Sequence, residues 1–305
     1  MKILLTGASG LLGASFAAAA QRRGHHVVGI VGAYSGKIPG VALTKTLDLT
    51  QLDQLEAFAL ELFPDAIVNC AAISEPKDCE ADPQGSRLLN VALPEKLALL
   101  SRHLFATLIH ISSEQVFDGT QELYFRDSPT SPTNEYARQK RESEEAVHSI
   151  CAEFATTLRL PLLMGNSLGR DRSMHERLFA AWSQGQQTPL FTDEIRQPCH
   201  VENIASVMVE LCERSDLKGV YHWAGEKSLS RFEMGQRIVR HFGLPEDLII
   251  AAQRGDDPRF AHRQARLVFD LTPLASKLKT QPPCFSDQLD TLIVPRNAQA
   301  WYHSI

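Results

Sequence analysis

In the stretch "EYARQK" (135–140) a phenol and an ammonium stand four positions apart, as Tyr136 and Lys140. The surrounding segment "SPTNEYARQKRESEEAVHSI" offers Pro132 and Asn134 as a helix start and helix-tolerant residues after them. Residues i and i+4 of a helix share a face, so Tyr136 and Lys140 point the same way. The chemistry open to such a pair is proton transfer. A free tyrosine titrates near ~10, and a neighbouring ammonium favours the phenolate and lowers that value. The same spacing allows a purely structural reading, with Lys140 paired to Glu144 one turn on and Tyr136 lying flat on a neighbour. A second group bears on the choice. "TGASGLLG" (6–13) lies between an apolar run at 2–6 and a helical stretch from 11. There Gly7 permits a tight turn, Gly10 lets backbone approach a pyrophosphate, and Gly13 allows close helix–sheet packing. The helix start supplies free N–H groups and a positive dipole end for an anion.

The elements that must position these residues alternate through the first half of the chain. The pattern predicts strands at 2–6, 26–31, 66–72, 106–112 and 154–160. Between them it predicts helices at 11–24, 50–63 with Thr50 as N-cap, and 88–104 with a kink or break near Pro94. This βαβα order implies a parallel sheet covered on both faces. About twenty residues without a clean period separate the strand at 106–112 from the Tyr136 helix, and a loop of that length inside a compact domain usually carries function. Beyond residue 162 the pattern predicts helices at 173–184, 201–214 and 230–242 and a strand at 219–224. The expected division is a first domain over 1–162, with later returns near 190–225, and a smaller second domain made mainly from 163–305.

The chain has 305 residues, 44% of them apolar and 22% charged, and a net charge of −5 without a basic block. That argues against nucleic acid or an anionic membrane as the main partner. The six cysteines show no CxxC spacing, so neither a metal site nor disulfides are expected, and a reducing cytosol fits. The opening "MKILLTG" runs straight into a strand and a turn, which predicts no signal peptide.

The glycine motif with a downstream YxxxK resembles the short-chain dehydrogenase/reductase superfamily, and the length and spacing resemble its extended branch. "VNCAAISEPKDCEADP", "HISSEQVFDG", "SPTNEYARQKRESEEAV" and "LRLPLLMGN" together are similar to dTDP-4-dehydrorhamnose reductases, and the similarity continues through "RQPCHVENIASVMVEL" and "GVYHWAGEKSLSRFEMGQRI". The resemblance implies a Rossmann-type doubly wound sheet with a smaller C-terminal substrate-binding domain. It implies Ser113, Tyr136 and Lys140 as the catalytic set, with Tyr136 as general acid toward a carbonyl oxygen and Lys140 also holding the nicotinamide ribose. Ser112 competes with Ser113; alternation along "LIHISS" and alignment to the family's S-[ST]-D motif both favour Ser113. Cofactor contacts are implied for Gly7, Ser9, Gly10, Leu11, Leu12 and Gly13, for Asp48 and Leu49, for Ala71, Ala72 and Ile73, and for Asn90, Leu160 and Leu162. Substrate contacts are implied for Ser74, Glu114, Gln115, Val116, Phe117, Arg196, Gln197, Arg263 and Arg266, arginine suiting a diphosphate through its forked donors.

The implied activity is reduction of a 4-keto-6-deoxy nucleotide sugar, dTDP-4-dehydrorhamnose foremost, by a monomer or homodimer. Two other readings share the motifs: a non-catalytic NADP-binding subunit similar to the methionine adenosyltransferase β subunit, and a nucleotide-sugar epimerase or dehydratase. The last is weakened because Glu114 is followed by Gln115, where a dehydratase carries a second acid. The family's S-T-D-Y-V-F reads here Ser112-Ser113-Glu114-Gln115-Val116-Phe117. Lys77 and Arg126 also stand where acids are expected, which places the differences on the substrate side. No Asp or Glu follows the strand ending at Val31, so NADP(H) is expected to be preferred, with NAD(H) also used.

Overall fold

A computed structural model describes residues 1–169, 171–260 and 263–305. Strand β1 (Lys2–Thr6) is the short apolar run before the glycines, buried at four of its five positions. With β2 (His26–Val31), β3 (Val41–Thr46), β4 (Ala66–Asn69), β5 (Thr107–Ser113), β6 (Ala155–Leu160) and the strand Gly219–His222 it forms one seven-stranded sheet. Every pairing in it is parallel, and the order is β3-β2-β1-β4-β5-β6 and then Gly219–His222. The chain winds outward from β1 in both directions. Its direction of winding therefore reverses between β1 and β4, which opens a crevice at their carboxyl ends.

Both faces are covered, as the buried inner strands of a parallel sheet require. On one face the helix Leu11–Arg22 packs with the helix Val201–Glu213 through Leu12, Phe16, Ala20, Ile204 and Met208. On the other, the helices Leu52–Leu62, Leu93–Leu104 and Glu135–Cys151 contribute Leu55, Leu97, Leu104 and Val147 to a second core. A third core is built by the helices Met174–Trp182 and Arg231–His241 and the segment around Phe285–Leu289, with Phe179, Trp182, Ile238 and Phe285 at its centre. It carries short pairings of its own, Thr188–Phe191 with Ile249–Ala252, and Ile195–Arg196 between Leu229–Ser230 and Arg266–Leu267. No helix among the described residues is long and apolar enough to cross a membrane.

Three local features differ from the sequence pattern. The edge strand β3 is not announced by an apolar run because five of its six residues are exposed. Thr50 does not cap the helix Leu52–Leu62; Gln51 is the N-cap, and both the amide and hydroxyl of Thr50 donate to Asp48. The break expected near Pro94 is a π-helical segment, Leu88–Ala92, that ends where the α-helix Leu93–Leu104 begins, placing the proline in a first turn that needs no N–H from it.

Candidate functional site

A cleft of about 1210 Å³ opens over the carboxyl ends of β1, β4 and β5 and extends to the third core. Its inner wall is the glycine loop. Gly7 has φ +66°, and a Cβ there would lie 2.7 Å from the amide of Ala71. A Cβ on Gly13 would lie 2.2 Å from the carbonyl of Gly7. Any side chain at these positions would force the loop off the sheet. Gly10 is the N-cap of the helix and supplies no side-chain acceptor, so the first-turn amides open on the cleft that Gly10, Leu11, Leu12 and Gly13 line. Ser9, Ala71, Ala72, Ser74, Leu160 and Leu162 also line it. An uncapped helix start beside a floor of small residues fits a dinucleotide diphosphate.

The Tyr136 helix begins as its sequence dictates. Asn134 is the N-cap, and its side chain accepts from the amide of Ala137 at 2.8 Å. Tyr136 and Lys140 both reach the cleft while 8% and 3% exposed. Ser113, the last residue of β5, accepts from the Gln115 amide at 3.2 Å, and its hydroxyl stands close enough to Tyr136 to lower the phenol's pKa. Ser112 lines the cleft too, but its buried hydroxyl has no partner among the described residues. The structural alternative for Lys140 is closed off by a competitor. Arg159 on β6 takes Glu144 in a bidentate ion pair, with contacts of 2.7 and 2.9 Å. Lys140 is left facing the cleft.

Burial sets the ionisation of the pair. It pushes the Tyr136 phenol up to about 12, against a lowering by the nearby Ser113 hydroxyl. It pulls the Lys140 ammonium down to about 8, against the nearby Glu144 carboxylate. The sequence expectation that Lys140 depresses the phenol is therefore not met, because desolvation of the phenolate dominates its ionisation. A phenol that holds its proton beside a retained ammonium is equipped to donate.

The outer end of the cleft is charged. Glu114 is buried and meets the Arg196 Nε at 3.2 Å; burial raises its carboxyl to about 7 against the pull of Arg196. Arg196 is not an open fork. Its remaining donors go to the carbonyls of Ile195 at 2.8 Å and Gln264 at 3.0 Å. It serves as the counter-ion of Glu114 and also meets Glu194 at 3.5 Å, while Arg263 and Arg231, both paired with Glu194, are more exposed. Arg172, Arg177, Arg259 and Lys77 add further positive charge to the lining.

The sequence-derived set divides accordingly. Ser113, Tyr136, Lys140, the loop residues 7 and 9–13, Ala71, Ala72, Ser74, Glu114, Gln115, Leu160, Leu162, Arg196 and Arg263 are brought together. Eight are not in the lining. Val116 and Phe117 are fully buried in a small core, Phe117 stacked on Tyr124 at 4.2 Å. Gln197 is a buried strut between the carbonyl of Gly225 and the amide of Phe269. Asn90 is a buried brace that binds both the amide and carbonyl of Ile73 and the side chain of Gln139. Ile73 is half-buried beneath that brace. Arg266 pairs with Glu122, Leu49 packs on the second core, and Asp48 is spent on the Thr50 turn. The sequence reading missed Gly32, Ala33 and Tyr34, whose signal was their place at the end of β2. It also missed Arg172, Arg177, Glu194, Arg231 and Arg259, which carry no local signature.

Among known proteins, residues 1–297 match the family model described as the RmlD substrate binding domain. The methionine adenosyltransferase 2 subunit beta of Xenopus tropicalis is 34% identical over 250 residues, which cover 80% of this chain and 73% of that protein. The probable low-salt glycan biosynthesis reductase Agl14 of Haloferax volcanii is 28% identical over 299 residues, covering 96% and 97%. The crystal structure of dTDP-4-dehydrorhamnose reductase from Bacillus anthracis in complex with NADP superposes with a TM-score of 0.82 at 21% identity, covering 95% and 97% of the two chains. That likeness adds the same fold, a parallel sheet with flanking helices. With nearly the whole sequence matched, this chain belongs to the RmlD substrate binding domain family.

Proposed function

We propose that this protein is an NAD(P)H-dependent reductase of a 4-keto-6-deoxy nucleotide sugar, with a dTDP-4-keto sugar such as dTDP-4-dehydrorhamnose as the first substrate to try. The observation that carries this reading is the meeting of Ser113, Tyr136 and Lys140 in one cleft, with both Tyr136 and Lys140 largely withdrawn from water. The residues fit a nicotinamide dinucleotide. The first-turn amides of the helix Leu11–Arg22 would take its diphosphate, Ala71 and Ala72 would let it lie over the sheet, and Lys140 would hold the ribose beside Leu160 and Leu162. When bound in reduced form, that cofactor supplies the hydride. Tyr136 gives its hydroxyl proton to the carbonyl oxygen as negative charge builds there, and Ser113 hydrogen-bonds the same oxygen. Lys140 keeps a positive charge near the phenol, which eases its transient loss of a proton. Arg263 and Arg231, the less occupied cations of the outer cleft, are placed to meet a substrate diphosphate.

Gly32, Ala33 and Tyr34 form the cleft wall beyond β2, and no carboxylate stands among them to repel a 2′-phosphate. This supports NADPH over NADH, with some use of both. The test is loss of reduced-nicotinamide absorbance on mixing the protein with NADPH or NADH and a panel of nucleotide 4-keto sugars. No turnover on any of them would sink the reductase reading. A tenfold advantage for NADH would be about 1.4 kcal/mol in the wrong direction for the cofactor preference.

A second reading is favoured by one specific finding, the 34% identity to a methionine adenosyltransferase β subunit over 80% of this chain. On that reading the cleft binds a dinucleotide without turning a sugar over. It expects the protein to bind a methionine adenosyltransferase catalytic subunit and change its rate, with no oxidation of NADPH by any keto sugar.

A further inference from the structure

Four buried polar side chains join three strands of the sheet to the backbone of Lys140. Thr6 on β1, Asn69 on β4, His110 on β5 and Ser143 on the Tyr136 helix are each 2% exposed or less. The Thr6 hydroxyl donates to Asn69 Oδ1 at 2.6 Å, and the amide of Ala71 donates to the same oxygen at 3.3 Å. Asn69 Nδ2 lies 3.3 Å from His110 Nδ1, and His110 Nε2 lies 3.0 Å from the Ser143 hydroxyl oxygen. Ser143 in turn reaches the carbonyl of Lys140 at 2.7 Å.

The proton positions in this chain follow from what each group can do. A carbonyl only accepts, so the single Ser143 proton points at Lys140. The Ser143 oxygen must then accept from His110, which places the imidazole hydrogen on Nε2. Asn69 Oδ1 already accepts twice, so its amide nitrogen donates to the bare Nδ1. One neutral tautomer satisfies every member. A protonated ring would set an N–H against the Asn69 amide donor, and two features oppose it. The ring is buried, and the charge acting on it is the ammonium of Lys140; its in-register neighbours Asn69 and Thr157 are neutral. The hydrogen-bond chain meets the cleft at two places, the Asn69–Ala71 wall and the turn that carries Lys140.

We propose that His110 and Ser143 are positioning residues for Lys140: the Nε2–H imidazole, held between Asn69 and Ser143, fixes the lysine turn against the Asn69–Ala71 wall of the cleft. This rests on the reading of Lys140 as the group that holds the dinucleotide. In Ser143→Ala the lysine turn loses its tether, and in His110→Leu the whole connection goes. His110→Gln keeps a side-chain N–H able to reach Ser143.

The test is fluorescence titration of the full chain with NADPH, combined with a mutant cycle through Lys140→Met. Ser143→Ala and His110→Leu are expected to weaken NADPH binding about fivefold, the scale of one lost hydrogen bond. His110→Gln should regain most of that, and Ser143→Ala should add nothing in the Lys140→Met background. A packing defect without a positioning role would cause the same loss with or without Lys140, and that result would overturn the proposal, as would unchanged affinity in every variant. Ser143→Ala removes a single atom and carries the test if His110→Leu does not fold. The tautomer has its own readout: nitrogen chemical shifts of His110 should report Nε2–H, unchanged down to pH 5.5, and an Nδ1–H ring would refute the chain. If the unmodified protein binds neither NADPH nor NADH, the reading of Lys140 falls and the proposal with it. If it binds and the losses simply add, only the proposal falls.

Discussion

Glu144→Gln should destabilise the protein more than almost any other single substitution on the Tyr136 helix. The Glu144 and Arg159 side chains are 6% and 7% exposed, so their charges have little water to fall back on. Three N···O contacts at 2.7, 2.9 and 3.2 Å join them. Without the carboxylate, Arg159 keeps only uncharged partners, the carbonyl of Arg126 and the Nε2 of His222 at 3.3 Å each and the face of Phe117 at 5.0 Å. Removing one partner of a buried pair typically costs about 3–5 kcal/mol, because the other charge stays buried and uncompensated. That is a large share of the ~5–15 kcal/mol that holds a typical protein folded. Removing both charges should cost far less, since a well-packed apolar pair often matches a buried ion pair. Urea melts of Glu144→Gln, Arg159→Met and the Glu144→Leu/Arg159→Met double variant would measure this. The expected pattern is two severe single variants and a double variant that regains most of the loss. Single-variant losses below ~1 kcal/mol, or a double variant as unstable as the sum of both, would refute the argument. The same substitution reaches the cleft, because the Glu144 charge helps Lys140 keep its proton.

Tyr136→Phe should abolish reduction of a working keto sugar while NADPH affinity, read by fluorescence titration, stays within about twofold, since only the transferable proton is removed. Near-normal turnover in that variant would exclude Tyr136 as the acid. Ser113→Ala should lower kcat by ~10²–10³, the usual cost of losing one hydrogen bond to developing charge; Ser112→Ala should do much less, and the reverse ranking would reassign the serine. Lys140 is pulled down to about 8 by burial, so it is charged below that pH and neutral above it. Turnover and cofactor affinity should therefore both fall as pH rises through about 8, and a flat profile from pH 6 to 10 would contradict a role for that charge.

What the sequence determined by itself was set by short-range geometry. A helix places residues four apart on one face wherever it folds, so Tyr136 and Lys140 were bound to share a direction. Asn134 could be read as a cap because its partner, the amide of Ala137, is three residues away. The glycine loop was legible because the close contacts at Gly7 and Gly13 follow from a strand turning at once into a helix. The alternation of apolar runs likewise dictated a parallel sheet with helices on both faces. Tertiary structure decided which partner each charge and each polar group would take. Glu144 stands one turn from Lys140 but pairs with Arg159, because β6 brings a buried guanidinium whose forked donors take both carboxylate oxygens. Arg196 reads as a phosphate ligand and serves instead as the counter-ion of Glu114, its other donors spent on the carbonyls of its neighbour Ile195 and of Gln264, 68 residues away in sequence. Phe117 and Gln197 sit in motifs that suggest the substrate cleft, and the packing of Phe269 turns one into core and the other into a strut. The chain from Thr6 to Lys140 spans β1, β4, β5 and a helix, and no spacing in the sequence announces it. Short-range steric rules survive translation into any fold. The pairing of buried charges and hydrogen bonds does not, because it depends on which distant groups arrive together out of water.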